Sequence, residues 1–220
     1  MAKQPFPGVI TALEPQAKTR RHLGARLNVF VNDRFSFALD AGLAARRGLE
    51  PGVLLDAETL AELLNEDGAA KAYAGALNFL SFRVRSAKEV RARLERDEWP
   101  DEVIDAVLSR LQEERLLDDA QFAAMWVENR SRFRPRGTGV LRQELRQKGV
   151  EKNSIEAALP DIDEEAENAL GALRSKLRSW EHYEPKEQRE KALGFLQRRG
   201  FNFSVARDAW EKLREEEGLT

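Results

Sequence analysis

Apolar residues recur at every second position near the start of the chain and at every third or fourth position farther along. Leu27, Val29 and Val31 alternate with Asn28 and Phe30, and beyond Asn32-Asp33 the residues Phe35, Phe37 and Leu39 alternate with Ser36 and Ala38. A period of two predicts two strands. The Asn-Asp pair between them accepts positive φ more readily than most residues, which suits a tight type I′ hairpin turn. Because a lone hairpin is only marginally stable in water, a third strand or a covering helix is expected. Gly8 to Leu13 is the candidate strand. The candidate helices are Asp40 to Arg47, ended by Gly48, and Thr59 to Asn65, with Leu60, Leu63 and Leu64 on one face.

From about Ala69 the period is helical, and one set of apolar positions repeats. Leu94, Trp99, Ile104, Leu108 and Leu111 recur as Leu145, Val150, Ile155, Leu159 and Ile162, then as Leu196, Phe201, Ala206, Trp210 and Leu213, each shifted by 51 residues. Unrelated amphipathic helices would share some of these positions but would not hold one spacing across two intervening turns. The pattern predicts units made of a lead helix, a second helix, a short turn and a third helix. Ser86-Ala87-Lys88-Glu89 has the spacing at which a hydroxyl and a carboxylate satisfy each other's orphan backbone N–H groups, so the second helix of repeat one starts there. Gly149 and Gly200 end the equivalent helices, where a left-handed residue is commonly needed. Glu98 holds that place in repeat one, where its Cβ would make the same conformation about 1–2 kcal/mol less favourable, so a turn of different shape is expected. Pro100 with Asp101 and Glu102 reads as the next helix start, and Asp118 with Gln121 as the cap of a helix from Phe122 to Asn129.

The resulting fold class is mainly α: three tandem three-helix repeats forming an elongated curved array, preceded by a small N-terminal β-hairpin or three-stranded sheet with one or two helices. The boundaries drawn are 1–68 for the β-rich leader, then 69–117, 118–162 and 163–220 for the three repeats.

A charged fraction of 34%, with only 14 Gly and 8 Pro in 220 residues, fits amphipathic helices better than turn-rich β structure. The formal net charge of −2 conceals an uneven distribution. Arg83, Arg85, Lys88, Arg91, Arg93 and Arg96 form one basic cluster; Arg130, Arg132, Arg134, Arg136, Arg142, Arg146 and Lys148 form a denser one, opposed by Glu144 alone. Acid collects between and after them, in 97–105, 161–167 and 215–217. Most such runs are solvated helix faces. Two features favour a binding face instead. Arginine predominates, and its planar fork suits carboxylates and phosphates. Arg83 and Arg85 also map onto Arg134 and Arg136 through the repeat, so stacking would align the clusters. A nucleic acid or an acidic protein would be the ligand. Phe133 would then be a stacking platform for bases, although a single aromatic at helical spacing is more often core.

Catalytic chemistry finds little support. The absence of Cys removes disulfides, thiol nucleophiles and thiolate metal sites. His22 and His182 are isolated, and no phosphate loop, nucleophile elbow or zinc-binding His-Glu-x-x-His helix occurs. No enzyme activity, cofactor or metal is expected. The N-terminal residues lack the apolar stretch of a signal peptide and no run of about 18 apolar residues exists, so a soluble, cytoplasmic, monomeric protein without a membrane partner is the expectation.

Several segments together resemble the RecX family of recombinase regulators. They are Ala76-Leu77 to Arg83-Val84-Arg85-Ser86, Glu89-Val90 with Leu94, Leu116-Leu117-Asp118-Asp119 to Phe122-Ala123, and Gly137 and Gly139 with Glu144-Leu145 and Gly149-Val150. Gly8-Val9-Ile10, the Val29 to Asp33 hairpin and Gly48 to Gly52 resemble the leader that many members carry, and Glu98 departs from the pattern. The resemblance implies a non-enzymatic protein that binds the RecA filament on single-stranded DNA and inhibits its ATP hydrolysis, strand exchange and promotion of repressor cleavage. On that reading Arg83, Arg85, Arg91, Arg130, Arg134, Arg136, Arg142, Arg146 and Lys148 are candidates for the face meeting RecA or its DNA. Ser86, Glu89, Leu94, Asp118, Asp119, Phe122, Gly137 and Gly149 carry the family pattern. The competing class is a protein that binds single- or double-stranded DNA directly, and a third is a helical scaffold for an unrelated partner.

Overall fold

In a computed structural model, which describes residues 4–17 and 24–218, the hairpin is formed by β2 (Arg26–Val31) and β3 (Arg34–Asp40). Asn32 and Asp33 sit at φ of 48° and 59°, the left-handed pair that a type I′ turn requires. β1 (Gly8–Pro15) pairs antiparallel with β2, as the third-strand expectation required. A fourth strand, β4 (Leu54–Leu55), pairs with β1 to give the order β3-β2-β1-β4. Two residues are too few to show a period, which is why the three-stranded expectation fell short. The strict alternation also fails at Ser36. Val29 pairs with Phe37 but Phe30 pairs with Phe35, so Ser36 is an extra residue that reverses the pleat. Phe35 is therefore exposed, edge-to-face with Phe30, while Ser36 is buried and exchanges hydrogen bonds with the backbone of Phe6.

α1 (Ala41–Arg46) starts at Asp40, whose carboxylate accepts from the N–H of Leu43 at 2.9 Å. The next helix differs from expectation. Instead of a short helix and a break near residue 68, a single 24-residue helix, α2 (Ala57–Leu80), runs through the boundary drawn between 68 and 69. Its first half buries Leu60 and Leu63 with Ile10, Val29, Val31 and Leu39 of the sheet, and its second half buries Ala72 and Ala76. Gly68 makes a helix interior only about 1 kcal/mol less stable than alanine would. Asp67 beside it ties the helix to the sheet: Arg26 grips its carboxylate through both terminal nitrogens at 2.9 and 3.1 Å, Lys71 pairs with it at 2.6 Å, and the N–H of Asp40 donates to it at 2.9 Å. Burial pushes the Asp67 carboxyl up, but these donors outweigh it and hold the group below the usual carboxylate range.

Beyond α2 come α3 (Ala87–Arg96) and α4 (Asp101–Glu113), then α5 (Asp119–Phe133), α6 (Thr138–Gln147) and α7 (Lys152–Ala158), and finally α8 (Ile162–Leu177), α9 (Pro185–Arg198) and α10 (Phe203–Glu217). The chain divides into two compact units, Met1–Val84 with Val90–Leu116 and Arg85–Glu89 with Leu117–Thr220. The sheet, α2, most of α3 and α4 belong to the first; the opening turn of α3 and everything from α5 on belong to the second. Most positions shifted by 51 residues are buried. Trp99 and Leu159 are half-buried, and Ile162 alone is exposed, at 81%: α7 ends at Ala158, Leu159 turns extended before Pro160, and Ile162 opens the following helix instead of closing this one. His22 lies outside the described residues.

Candidate functional site

All three second helices end in the same turn. The N–H groups of Trp99, Val150 and Phe201 donate back five residues to the carbonyls of Leu94, Leu145 and Leu196, while Glu98, Gly149 and Gly200 sit at φ of 62°, 83° and 87°. Glu98 therefore adopts the left-handed conformation after all, with its side chain exposed. The glycines answer a further demand, close approach. A Cβ on Gly149 would lie 2.8 Å from Cβ of Lys88, and one on Gly200 would lie 2.3 Å from Cγ2 of Val140. Lys88 and Val140 stand in the opening turns of α3 and α6, so in the second unit the start of one second helix rests on the end of the following one. Gly137 is tighter still, since a Cβ there would lie 2.1 Å from the carbonyl oxygen of Gly200.

The family-pattern residues build these junctions. Ser86 and Glu89 form the expected capping box, with Ser86 Oγ accepting from the N–H of Glu89 at 3.3 Å and Ser86 N–H donating to Glu89 Oε2 at 3.4 Å. Asp118 caps its own helix through the N–H groups of Ala120 and Gln121. Asp119 reaches across to accept from the N–H of Ala87 at 2.8 Å. Glu165 does the same in the next repeat, accepting from the N–H of Thr138 at 2.8 Å. Thus the lead helix of one repeat caps the second helix of the preceding one. Leu94 and Phe122 are buried in the helical cores.

Four of the candidate basic residues form a first group, held by carboxylates of the chain. Arg91 is paired with Asp105, Arg130 with Glu144 at 2.9 Å, Arg142 with Glu156 through two bonds at 2.8 and 2.9 Å, and Lys148 with Glu89 at 2.7 Å. Arg130 and Lys148 also lie over the Trp126 ring, whose indole N–H donates to Glu144. Hydrogen bonds to their carboxylates raise the pKa of Arg91 and Arg142. These four expected partner contacts are already engaged within the chain. Arg83 and Arg146 are exposed, and Arg85 is half-buried.

The second group is Arg134, Arg136 and Arg199. No carboxylate pairs with any of them among the described residues. Arg199 Nη1 donates to the carbonyl of Pro135 at 3.3 Å, the N–H of Gly137 donates to the carbonyl of Arg199 at 3.0 Å, and the Arg199 guanidinium lies 4.5 Å from the Phe195 ring centre. Arg136 Nε is buried without a protein acceptor. Burial, then the charges of Arg136 and Arg134, lower the pKa of Arg199. Phe133, next in line, is 70% exposed and so does not serve the core, and Phe82 in the equivalent place is 74% exposed. Both lead a Phe-Arg-x-Arg sequence. Arg199 escaped the sequence reading because it lies outside both basic clusters; its equivalence to Lys148 through the repeat is the signal that identifies it.

No group of His, Asp and Glu among the described residues is arranged to hold a metal, and no described helix is long and apolar enough to cross a membrane. Fold and surface together define a tandem three-helix-repeat protein with a four-stranded antiparallel leader. Comparison with known proteins gives the family. Models of the first, second and third three-helix domains of RecX match residues 72–111, 118–159 and 163–210. Regulatory protein RecX of Bacillus velezensis is 34% identical over 209 residues, covering 94% of this chain and 78% of that one, and its counterpart in Bacillus subtilis is 32% identical with the same coverage. A crystal structure of regulatory protein RecX matches with a TM-score of 0.71 at 26% identity, over 96% of this chain and 100% of that one. RecX from Lactobacillus salivarius shares the fold with a TM-score of 0.62 at 23% identity, over 67% of this chain and 97% of that one. The chain belongs to the RecX family.

Proposed function

We propose that this protein regulates the RecA recombinase, chiefly as an inhibitor, by binding the RecA filament on single-stranded DNA and restraining its ATPase, strand-exchange and co-protease functions. Membership of a family of regulatory proteins over the whole three-repeat array carries this reading. The protein acts in the cytoplasm as a monomer, without a cofactor, and contributes binding rather than catalysis. Arginine-rich surface suits the role physically, because complementary charge steers docking and fixes orientation more than it adds affinity. Among the basic residues, those without an internal carboxylate, Arg134 and Arg136 foremost, are the ones available to a partner.

Titrating the protein into RecA hydrolysing ATP on single-stranded DNA tests the reading. Inhibition is expected, and inhibition well below stoichiometric amounts would indicate blocked filament growth. Reversing Arg134 and Arg136 to Glu should weaken it while leaving the circular dichroism spectrum unchanged. An ATPase rate insensitive to the protein would overturn the proposal.

A further inference from the structure

The two junctions between second helices in the second unit are built on one plan but differ in charge. At the first, Lys148 near the end of α6 meets Glu89 in the opening turns of α3. Shifted by 51 residues, Lys148 becomes Arg199 and Glu89 becomes Val140. The cation is kept and its carboxylate is absent. The Pro135 and Gly137 contacts bring Arg199 against the Arg134–Gly137 turn, near enough for the charges of Arg136 and Arg134 to act on it, and no described carboxylate pairs with any of the three. Like charges held together in a half-buried site are unfavourable unless an anion joins them. The Gly137–Gly200 backbone contact fixes the two segments that carry these side chains against each other.

From this juxtaposition we infer that the α5–α6 turn and the end of α9 form a binding site for single-stranded nucleic acid, with Arg134, Arg136 and Arg199 on successive backbone phosphates and Phe133 stacked on a base. A carboxylate-bearing peptide would satisfy the cations but not explain the ring. Phe133, which precedes Arg134 in the chain, is largely exposed, with Arg132 over the ring at 5.3 Å from its centre. A cationic track beside an exposed aromatic face is the pairing that sequence-tolerant single-strand binding uses. Stacking needs an unpaired base, which selects single-stranded over duplex ligand. The site goes beyond the regulatory reading and does not depend on it.

Fluorescence anisotropy with labelled oligothymidylate, in the absence of RecA, tests the site. Binding by the unaltered protein should weaken with salt, and R134A/R199A should flatten the slope of log K against log salt by ~1.4, about 0.7 for each phosphate no longer neutralised. K212A, which removes one exposed positive charge from α10, is the control for net charge. F133A should weaken oligothymidylate binding by about 5- to 150-fold while leaving competition by inorganic polyphosphate unchanged. V140E restores the carboxylate of the first junction and should close the site without removing any cation, so its weaker binding cannot be laid to a missing guanidinium. The proposal is overturned if the unaltered protein does not bind, if R134A/R199A binds as K212A does, if V140E binds normally, or if polyglutamate competes as well as polyphosphate, which would make the ligand an acidic protein. No RecA is present, so these outcomes are independent of the ATPase titration.

Discussion

A Cβ added at Gly200 would lie 2.3 Å from Cγ2 and 2.7 Å from Cβ of Val140 and 3.0 Å from its backbone nitrogen, at a φ of 87°. Two effects therefore add in the G200A variant. The left-handed conformation disfavours an L side chain by about 1–2 kcal/mol. Overpacking against a neighbour whose backbone is fixed adds about 1–3 kcal/mol. Together they predict a loss of about 2–5 kcal/mol, or roughly 5–15 °C in melting temperature for a chain of this size. At the equivalent position of repeat one the steric part is absent, since Glu98 is exposed with φ of 62°. E98G should therefore stabilise, by about 0.5–1 kcal/mol, because relief of the left-handed penalty exceeds the added entropy of the unfolded chain. Thermal melting followed by circular dichroism measures both variants. Effects of the same sign, or a G200A loss below about 1 kcal/mol, would refute the claim that close approach of successive second helices requires glycine there.

Two further predictions concern carboxylates of opposite behaviour, Asp67 buried and Asp119 half-buried. Asp67 has its pKa lowered in the folded state, so its stabilisation is full above the unfolded aspartate value and is lost as pH falls through the folded one. D67N should cost about 3–5 kcal/mol at neutral pH by leaving Arg26 buried without its partner, with the difference from the unaltered protein shrinking below about pH 4 in acid-denaturation curves; a pH-independent difference would contradict this. Asp119 has its pKa raised, by burial first and then by Asp118 and Glu151 against the opposing bond from Ala87. Its charged form is therefore disfavoured in the folded state, and D119N, which keeps an acceptor for Ala87, should be neutral or stabilising at pH 7 and lose that advantage in acid, whereas D119A should lose about 1 kcal/mol of capping. Equal losses for both variants in urea titrations would exclude this.

The features legible in the sequence are those made by neighbours along the chain. The Asn32-Asp33 turn, the Ser86–Glu89 capping box, the Asp118 cap and the glycine-ended second helices rest on contacts within a few residues, and their spacing is visible directly. The 51-residue register survives because each repeat must bury the same positions. Ser36, Ile162 and the continuous α2 depart from the local pattern for one reason: a bulge, a shortened α7 and an uninterrupted Gly68 are decided by what the segment packs against, and local propensities at those points differ by only about 1 kcal/mol.

The candidate site divides in the same way. Arg134, Arg136 and Phe133 are visible as a cluster because they are adjacent. Their distinction from Arg91, Arg130, Arg142 and Lys148 is not, since each of these latter cations is neutralised by an acid at least 14 residues away in the chain. By itself, then, the sequence determined the helical repeat, the hairpin and the inventory of charge. Only the tertiary structure decided which charges remain uncompensated, because pairing energy depends on separation in space, and it brought Arg199 to Pro135 across 64 residues of chain.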